Sequence, residues 1–162
     1  MGDDTMSPVS RSTVQDFFQA YASRDPARIA PFLDEQVHWV ISGPVDVLRF
    51  CGERRGKAAV LQLFDRLSPE EFEVTGFNPE AMLIDGDRAA TLGTLSGIKR
   101  EHGRRISYRL ARFIRFDGGK VIEIHSILDS FDAAEQVLGH PIDTAHVGST
   151  LDPVGTGNLV AI

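Results

Sequence analysis

The chain has 162 residues, 42% hydrophobic and 25% charged, with a formal net charge of −6 from 17 basic and 23 acidic side chains. This length suits one domain with a tail and the apolar fraction excludes a wholly disordered chain. No apolar run approaches the ~18 residues of a membrane span, and the acidic balance argues against nucleic acid as a partner. Lys99, Arg100, Arg104 and Arg105 flank Gly103 and read as a solvated hairpin tip. A lone cysteine, Cys51, cannot close an internal disulfide, and residues 1–10 lack a signal-peptide pattern. A soluble, cytoplasmic protein is the expectation.

In chain order, Val14, Phe17, Phe18 and Tyr21 recur at i, i+3, i+4 and i+7, which predicts an amphipathic helix. Ser12 with Gln15 reads as its capping box. Asp25-Pro26 ends that helix and starts a second, short one carrying Ile29, Ala30, Phe32 and Leu33. Val37 to Ile41 is a run of β-formers bounded by Ser42-Gly43-Pro44, hence a strand. Residues 42–56 read as a connection, apolar for a loop. A helical period returns from Lys57 in Ala59, Val60, Leu63, Phe64 and Leu67, with Ser68-Pro69 as its stop.

The character of the chain then changes. Segments near 72–84, 88–100, 104–116 and 120–128 read as strands, separated by turn chemistry at Asp85-Gly86-Asp87, His102-Gly103 and Asp117-Gly118-Gly119. A last helix over 130–138 follows, with Asp129 as N-cap and Gly139 at its end. Helices followed by an antiparallel meander predict an α+β domain. The expected organisation is an extension over 1–12, the domain over 13–139 and an irregular tail over 140–162.

Alternation along the last two strands defines a face. Ile106, Tyr108, Leu110, Arg112, Ile114 and Phe116 share one phase, and Ile122, Ile124, Ser126 and Leu128 share another. A three-residue Asp117-Gly118-Gly119 loop puts Arg112 opposite Ile124 and Leu110 opposite Ser126, so both apolar phases face inward. Arg112 and Ser126 then interrupt an apolar surface. An unpaired buried guanidinium is costly, so Arg112 either points into a ligand cavity or holds a fixed ion pair with a helix or tail carboxylate. His125 falls on the outward phase with Glu123, Arg109 and Arg115. No histidine spacing indicates a metal, and no nucleotide or nucleophile motif indicates a cofactor.

The order of these strings is similar to the nuclear transport factor 2-like superfamily, in its SnoaL-like, ketosteroid-isomerase-related branch. They run from Val14-Gln15-Asp16-Phe17-Phe18 to Arg24-Asp25, then Val37-His38-Trp39, Ser42-Gly43-Pro44, Phe50-Cys51-Gly52 to Gly56, and Val60 to Leu67. Asp85-Gly86-Asp87, Arg115-Phe116-Asp117-Gly118-Gly119-Lys120-Val121 and Asp129 to Leu138-Gly139 complete the series. The resemblance implies a cone-shaped (cystatin-like) fold, with a curved antiparallel sheet wrapped around the N-terminal helices. It also implies an apolar cavity at the open end and a homodimer.

The same resemblance marks departures from known chemistry. The ketosteroid isomerase base falls in Trp39-Val40-Ile41, its helix-one tyrosine at Phe17 and its strand aspartate at Arg112. The last-strand aspartate of SnoaL-like cyclases and limonene-epoxide-hydrolase-like enzymes falls at Ser126, three residues before Asp129. The expectation is a protein that holds a small, mostly apolar ketone-like or acidic ligand without a cofactor. Its walls would be Trp39, Phe50, Phe64, Tyr108, Leu110, Ile124 and Leu128, with Arg112 as anchor and Ser126 as a second contact. Arg112, Ser126 and Asp129 are the candidate catalytic residues for isomerase, cyclase or dehydratase chemistry, with a carboxylate taking the proton. A tail residue, Asp143, His146 or Asp152, is one possible source of that base. The competing expectation is a non-catalytic ligand carrier or dimeric accessory protein.

Overall fold

In the computed structural model, which describes residues 7–67 and 72–145, the first helix starts ahead of its expected cap. Ser10 is the N-cap: its Oγ accepts from the Thr13 amide at 3.0 Å, and α1 runs Arg11–Ala22. Ser12 lies inside the first turn instead. The cause is tertiary, because the Val9 amide donates to the Gly86 carbonyl at 2.9 Å and holds the chain extended up to Ser10. Val14, Phe17 and Ala20 form the buried stripe of α1. Asp25 caps α2 (Pro26–Ile29), accepting from the Ala27 amide at 2.8 Å, and a 3₁₀ turn over Ala30–Phe32 feeds β1 (Leu33–Ser42).

The connection after β1 holds a strand that periodicity does not reveal, β2 (Gly52–Arg55), paired antiparallel with β1. Glu53-Arg54-Arg55 gives no apolar alternation, so this edge strand looks like a charged loop. Then come α3 (Lys57–Gln62), a π turn over Leu63–Leu67, and the long strands β3 (Phe72–Asp85), β4 (Arg88–Lys99), β5 (Arg104–Asp117) and β6 (Lys120–Leu128). The last helix, α4 (Ser130–Leu138), is capped by Asp129 and closed by Gly139 at φ 81°. This is the expected α+β fold.

The six strands form a curved, open sheet in the order β2-β1-β6-β5-β4-β3. One pairing inside it is parallel, β1 with β6. The chain leaves β1 for the far edge and returns strand by strand, so its last strand lies beside its first. The β5–β6 connection also differs from the expected loop. Asp117 pairs with Lys120 across a two-residue Gly118-Gly119 turn, with both glycines at positive φ (53° and 79°). A register shift between Arg115 and Phe116 then restores the phase. Arg112 therefore faces Ser126, not Ile124, and Leu110 faces Leu128.

The helices cover the concave face, and two buried clusters lie between the layers. One joins α1, α2, β1 and α3 to the closed end of the sheet through Phe17, Trp39, Phe64, Ile114, Phe116 and Ile124. The other gathers Leu48, Phe72, Leu95, Tyr108, Leu110 and Leu128 at the open end. On β4, Gly93 gives the Phe77 ring of β3 its seat: a Cβ there would strike that ring and come within 2.6 Å of the Asn78 carbonyl oxygen. Gly93→Ala is therefore expected to lower stability by about 1–3 kcal/mol, read as a lower denaturant midpoint.

Candidate functional site

Between the two clusters the concave face turns polar. Thr91, Arg112 and Ser126 lie side by side on β4, β5 and β6, each opposite the next, with exposures of 5%, 3% and 4%. The Thr91 and Ser126 hydroxyls and the Arg112 Nε are buried without a hydrogen-bond partner. Among the described residues Arg112 makes no ion pair, so the fixed carboxylate partner considered from sequence is not found there. The guanidinium is held differently. Its Nη2 donates to Tyr21 Oη at a long 3.4 Å, and its Cζ lies 4.7 Å and 4.9 Å from the centroids of the Tyr21 and Phe77 rings. Two desolvated cation–π contacts of about 2 kcal/mol each make the burial tolerable and leave donors open to an anionic oxygen.

Tyr21 is the second element of the site. Its ring stacks on Trp39 (centroids 5.9 Å, interplanar 7°) and meets Phe64 edge-on at 5.5 Å. The Arg24 guanidinium lies 4.7 Å from the Phe64 centroid and 5.4 Å from that of Tyr21. Among the described residues, Arg24 is the one non-glycine at positive φ, 58°. A left-handed turn at the end of α1 is ordinarily glycine's place and costs another residue about 1–2 kcal/mol. That strain brings a second cation to the phenol. Burial pushes the Tyr21 phenol up, but Arg112 and Arg24, by charge and hydrogen bonding, outweigh it and hold the phenol below its ordinary 10.0. Tyr108 goes the other way, raised by burial.

Of these groups, Tyr21, Arg24, Tyr108, Arg112 and Ser126 line a cavity of about 50 Å³. Of the expected walls, Phe50, Tyr108, Leu110 and Leu128 line it, together with Arg112 and Ser126. Trp39, Phe64 and Ile124 do not: they belong to the closed-end core. Tyr21 lies over Trp39 and Phe64 and takes their place at the wall, while Ile124 sits beside Trp39 in the parallel register. Sequence reasoning missed Tyr21, Arg24, Ile41, Leu63, Phe72, Val74 and Leu95 as lining residues. Tyr21 was visible as a stripe residue, which reads as core, and nothing in periodicity points Arg24 inward. Phe50, Phe72 and Tyr108, with centroids 6.2–6.5 Å apart, separate this cavity from an outer groove of about 630 Å³ along Val47, Leu48 and Ile106.

The remaining candidates lie elsewhere. Asp129 is an exposed helix cap, accepting from the Asp132 amide at 3.3 Å. His125 is on the outer face, where its Nε2 is 2.8 Å from Ser42 Oγ, and Arg115 and Glu123 pair beside it at 3.4 Å. Asp143 is exposed and off the cavity, and His146 and Asp152 lie outside the described residues. No carboxylate or imidazole lines the cavity among the described residues, so the expected carboxylate base is not found there. Among those residues no group of three or more His, Cys, Asp or Glu could hold a metal ion, and no helix is long and apolar enough to cross a membrane.

The SnoaL-like domain family matches residues 14–124. A crystallised protein from Rhodopseudomonas palustris, provisionally designated an isomerase, is 31% identical, with 78% of this chain and 93% of that chain covered at a TM-score of 0.70. A Catenulispora acidiphila protein with a ketosteroid isomerase-like fold, crystallised with trimethylamine, superposes at 0.66 with 13% identity over 82% of this chain and 96% of its own. TerC, co-crystallised with polyporic acid, also superposes at 0.66, with 17% identity over 78% and 96%. No curated protein matches the sequence.

The way Arg112 is held makes a stability prediction. Removing one member of a buried ion pair costs about 3–5 kcal/mol. Arg112→Met takes a counterion-free charge out of an apolar face at similar length, so the expected loss is under about 2 kcal/mol, measured by chemical denaturation.

Proposed function

The chain belongs to the SnoaL-like family of the nuclear transport factor 2-like superfamily, and from that premise we propose that it binds a small, mostly apolar organic molecule bearing a ketone or acidic oxygen. The observation that carries this reading is the buried Arg112 guanidinium, with open donors and no ion pair among the described residues, beside the unpartnered Ser126 hydroxyl. A buried polar row of this kind is stable only if something satisfies it. Arg112 supplies charge-assisted hydrogen bonds to an enolate, carboxylate or carbonyl oxygen, and Ser126 supplies one more. Phe50, Tyr108, Leu110 and Leu128 enclose the apolar body. TerC and the Catenulispora protein, which share the fold, were crystallised with polyporic acid and trimethylamine, in keeping with small-molecule binding.

Pockets for organic ligands run to about 300–1,000 Å³, far above the 50 Å³ enclosed here. The ligand would enter by turning Phe50 aside, which joins the inner cavity to the outer groove. If the protein is an enzyme, its chemistry is of the isomerase, cyclase or dehydratase type, with Arg112 stabilising the developing oxyanion. A second reading, a non-catalytic carrier, is favoured by one observation: no carboxylate or imidazole lines the cavity among the described residues. A homodimer fits the outer face, where Phe113 and Ile127 are 54% and 46% exposed beside His125 and the Arg115–Glu123 pair. The lone buried thiol of Cys51 suits a reducing cytoplasm.

The test is a thermal-shift screen with steroids, polyketides, terpenes and aromatic acids. A ligand at a hundredfold excess over its Kd should add about 2.7 kcal/mol of stability, and Arg112→Met should abolish that gain while remaining folded. Equal stabilisation of wild type and Arg112→Met would refute the anchor.

A further inference from the structure

The cavity has a polar anchor but lacks the carboxylate or imidazole that proton transfer ordinarily uses. Three of its lining side chains carry a hydroxyl: Tyr21, Tyr108 and Ser126. A serine hydroxyl with no base beside it does not exchange protons usefully near neutral pH. Tyr108 packs between Phe50 and Phe72, where burial outweighs the Arg112 and Arg24 charges and pushes its phenol up. Tyr21 stands apart. Its oxygen is within hydrogen-bond reach of Arg112 Nη2, and Arg24, turned inward by a left-handed backbone, lies over the same ring. Strain of that kind persists where the surrounding structure enforces it, and it clusters at working sites.

We propose that the Tyr21 hydroxyl is the proton-transfer group of this cavity, acting on the carbon next to a ligand carbonyl whose oxygen Arg112 holds. The inference rests on the reading of the cavity as a ketone-binding site and adds the group that moves the proton. In the forward step, the phenolate oxygen takes a proton from the α-carbon. The C–H bond breaks, an O–H bond forms on Tyr21, and the C–H electron pair becomes the C=C of an enolate. The negative charge thus passes from Tyr21 to the ligand oxygen, and both positions lie against the same guanidinium. Returning the proton to either end of the enolate system restores the phenolate, so no oxidant or co-reactant is needed. The lowered affinity of this phenol for its proton agrees with the assignment.

Two readouts test it, with cyclohexanone as the probe. The chain has two tyrosines, so the near-ultraviolet absorbance of tyrosinate resolves them as pH rises. A step with its midpoint below 10.0 is expected in wild type and in Tyr108→Phe, and should be missing in Tyr21→Phe, which keeps the ring packed on Trp39. Exchange of the α-hydrogens of cyclohexanone in heavy water, followed by proton NMR, should run faster with wild type than in buffer. Tyr21→Phe should lose about 10²-fold of that acceleration. Full exchange by Tyr21→Phe, or a Tyr21 midpoint at or above the ordinary value, overturns the assignment. A wild type stabilised thermally by cyclohexanone that exchanges no deuterium overturns proton transfer alone. One that is neither stabilised nor active in exchange overturns the ketone-site reading as well.

Discussion

A guanidinium sits in the middle of an apolar sheet, and the rest of the concave face is arranged around it. Arg112 has oily residues on both sides along its own strand, Leu110 toward the open end and Ile114 toward the closed end. A charge in that position must be satisfied or the sheet must open. The fold satisfies it with the faces of Tyr21 and Phe77, from α1 and β3, at 4.7 Å and 4.9 Å. Those contacts neutralise little charge, so a cationic potential is left in a place that water barely reaches. A surface arginine would have no such field, because solvent would screen it.

The polar row also explains why the interior divides in two. Closed-end residues pack the helices onto the sheet and contribute most of the fully buried bulk, including Trp39, Phe17, Phe64 and Phe116. Open-end residues surround space instead, with Phe50, Phe72 and Tyr108 stacked across it. The most tightly packed bulk and the cavity thus lie toward opposite ends of one sheet.

Position by position, the site departs from carboxylate chemistry in a consistent direction. By the resemblance drawn from sequence, Arg112 falls where ketosteroid isomerases carry a strand aspartate, Ser126 where SnoaL-like cyclases carry a last-strand aspartate, and Phe17 at the helix-one tyrosine. One helical turn beyond Phe17 stands Tyr21, the phenol that meets Arg112. A buried cation beside a cavity that no carboxylate lines, among the described residues, is the arrangement on which the proposed binding of a ligand oxygen rests.

Sequence alone determined the order of the helices and of the other five strands, the α+β class and the inward phase of Arg112 and Ser126, because side-chain period is a local property written in alternation and turn residues. It did not determine β2, whose charged residues carry no period, nor the Ser10 cap, which follows from a contact with Gly86 far along the chain. The pairing of Arg112 with Ser126 was likewise out of reach, since a bulge near Phe116 sets the register and periodicity cannot count an extra residue. Tertiary structure alone decided that Arg112 and Arg24 converge on Tyr21 and that Trp39, Phe64 and Ile124 retreat into the core. Those outcomes depend on how a helix end lies across a curved sheet, a distance relation between residues that no local pattern encodes.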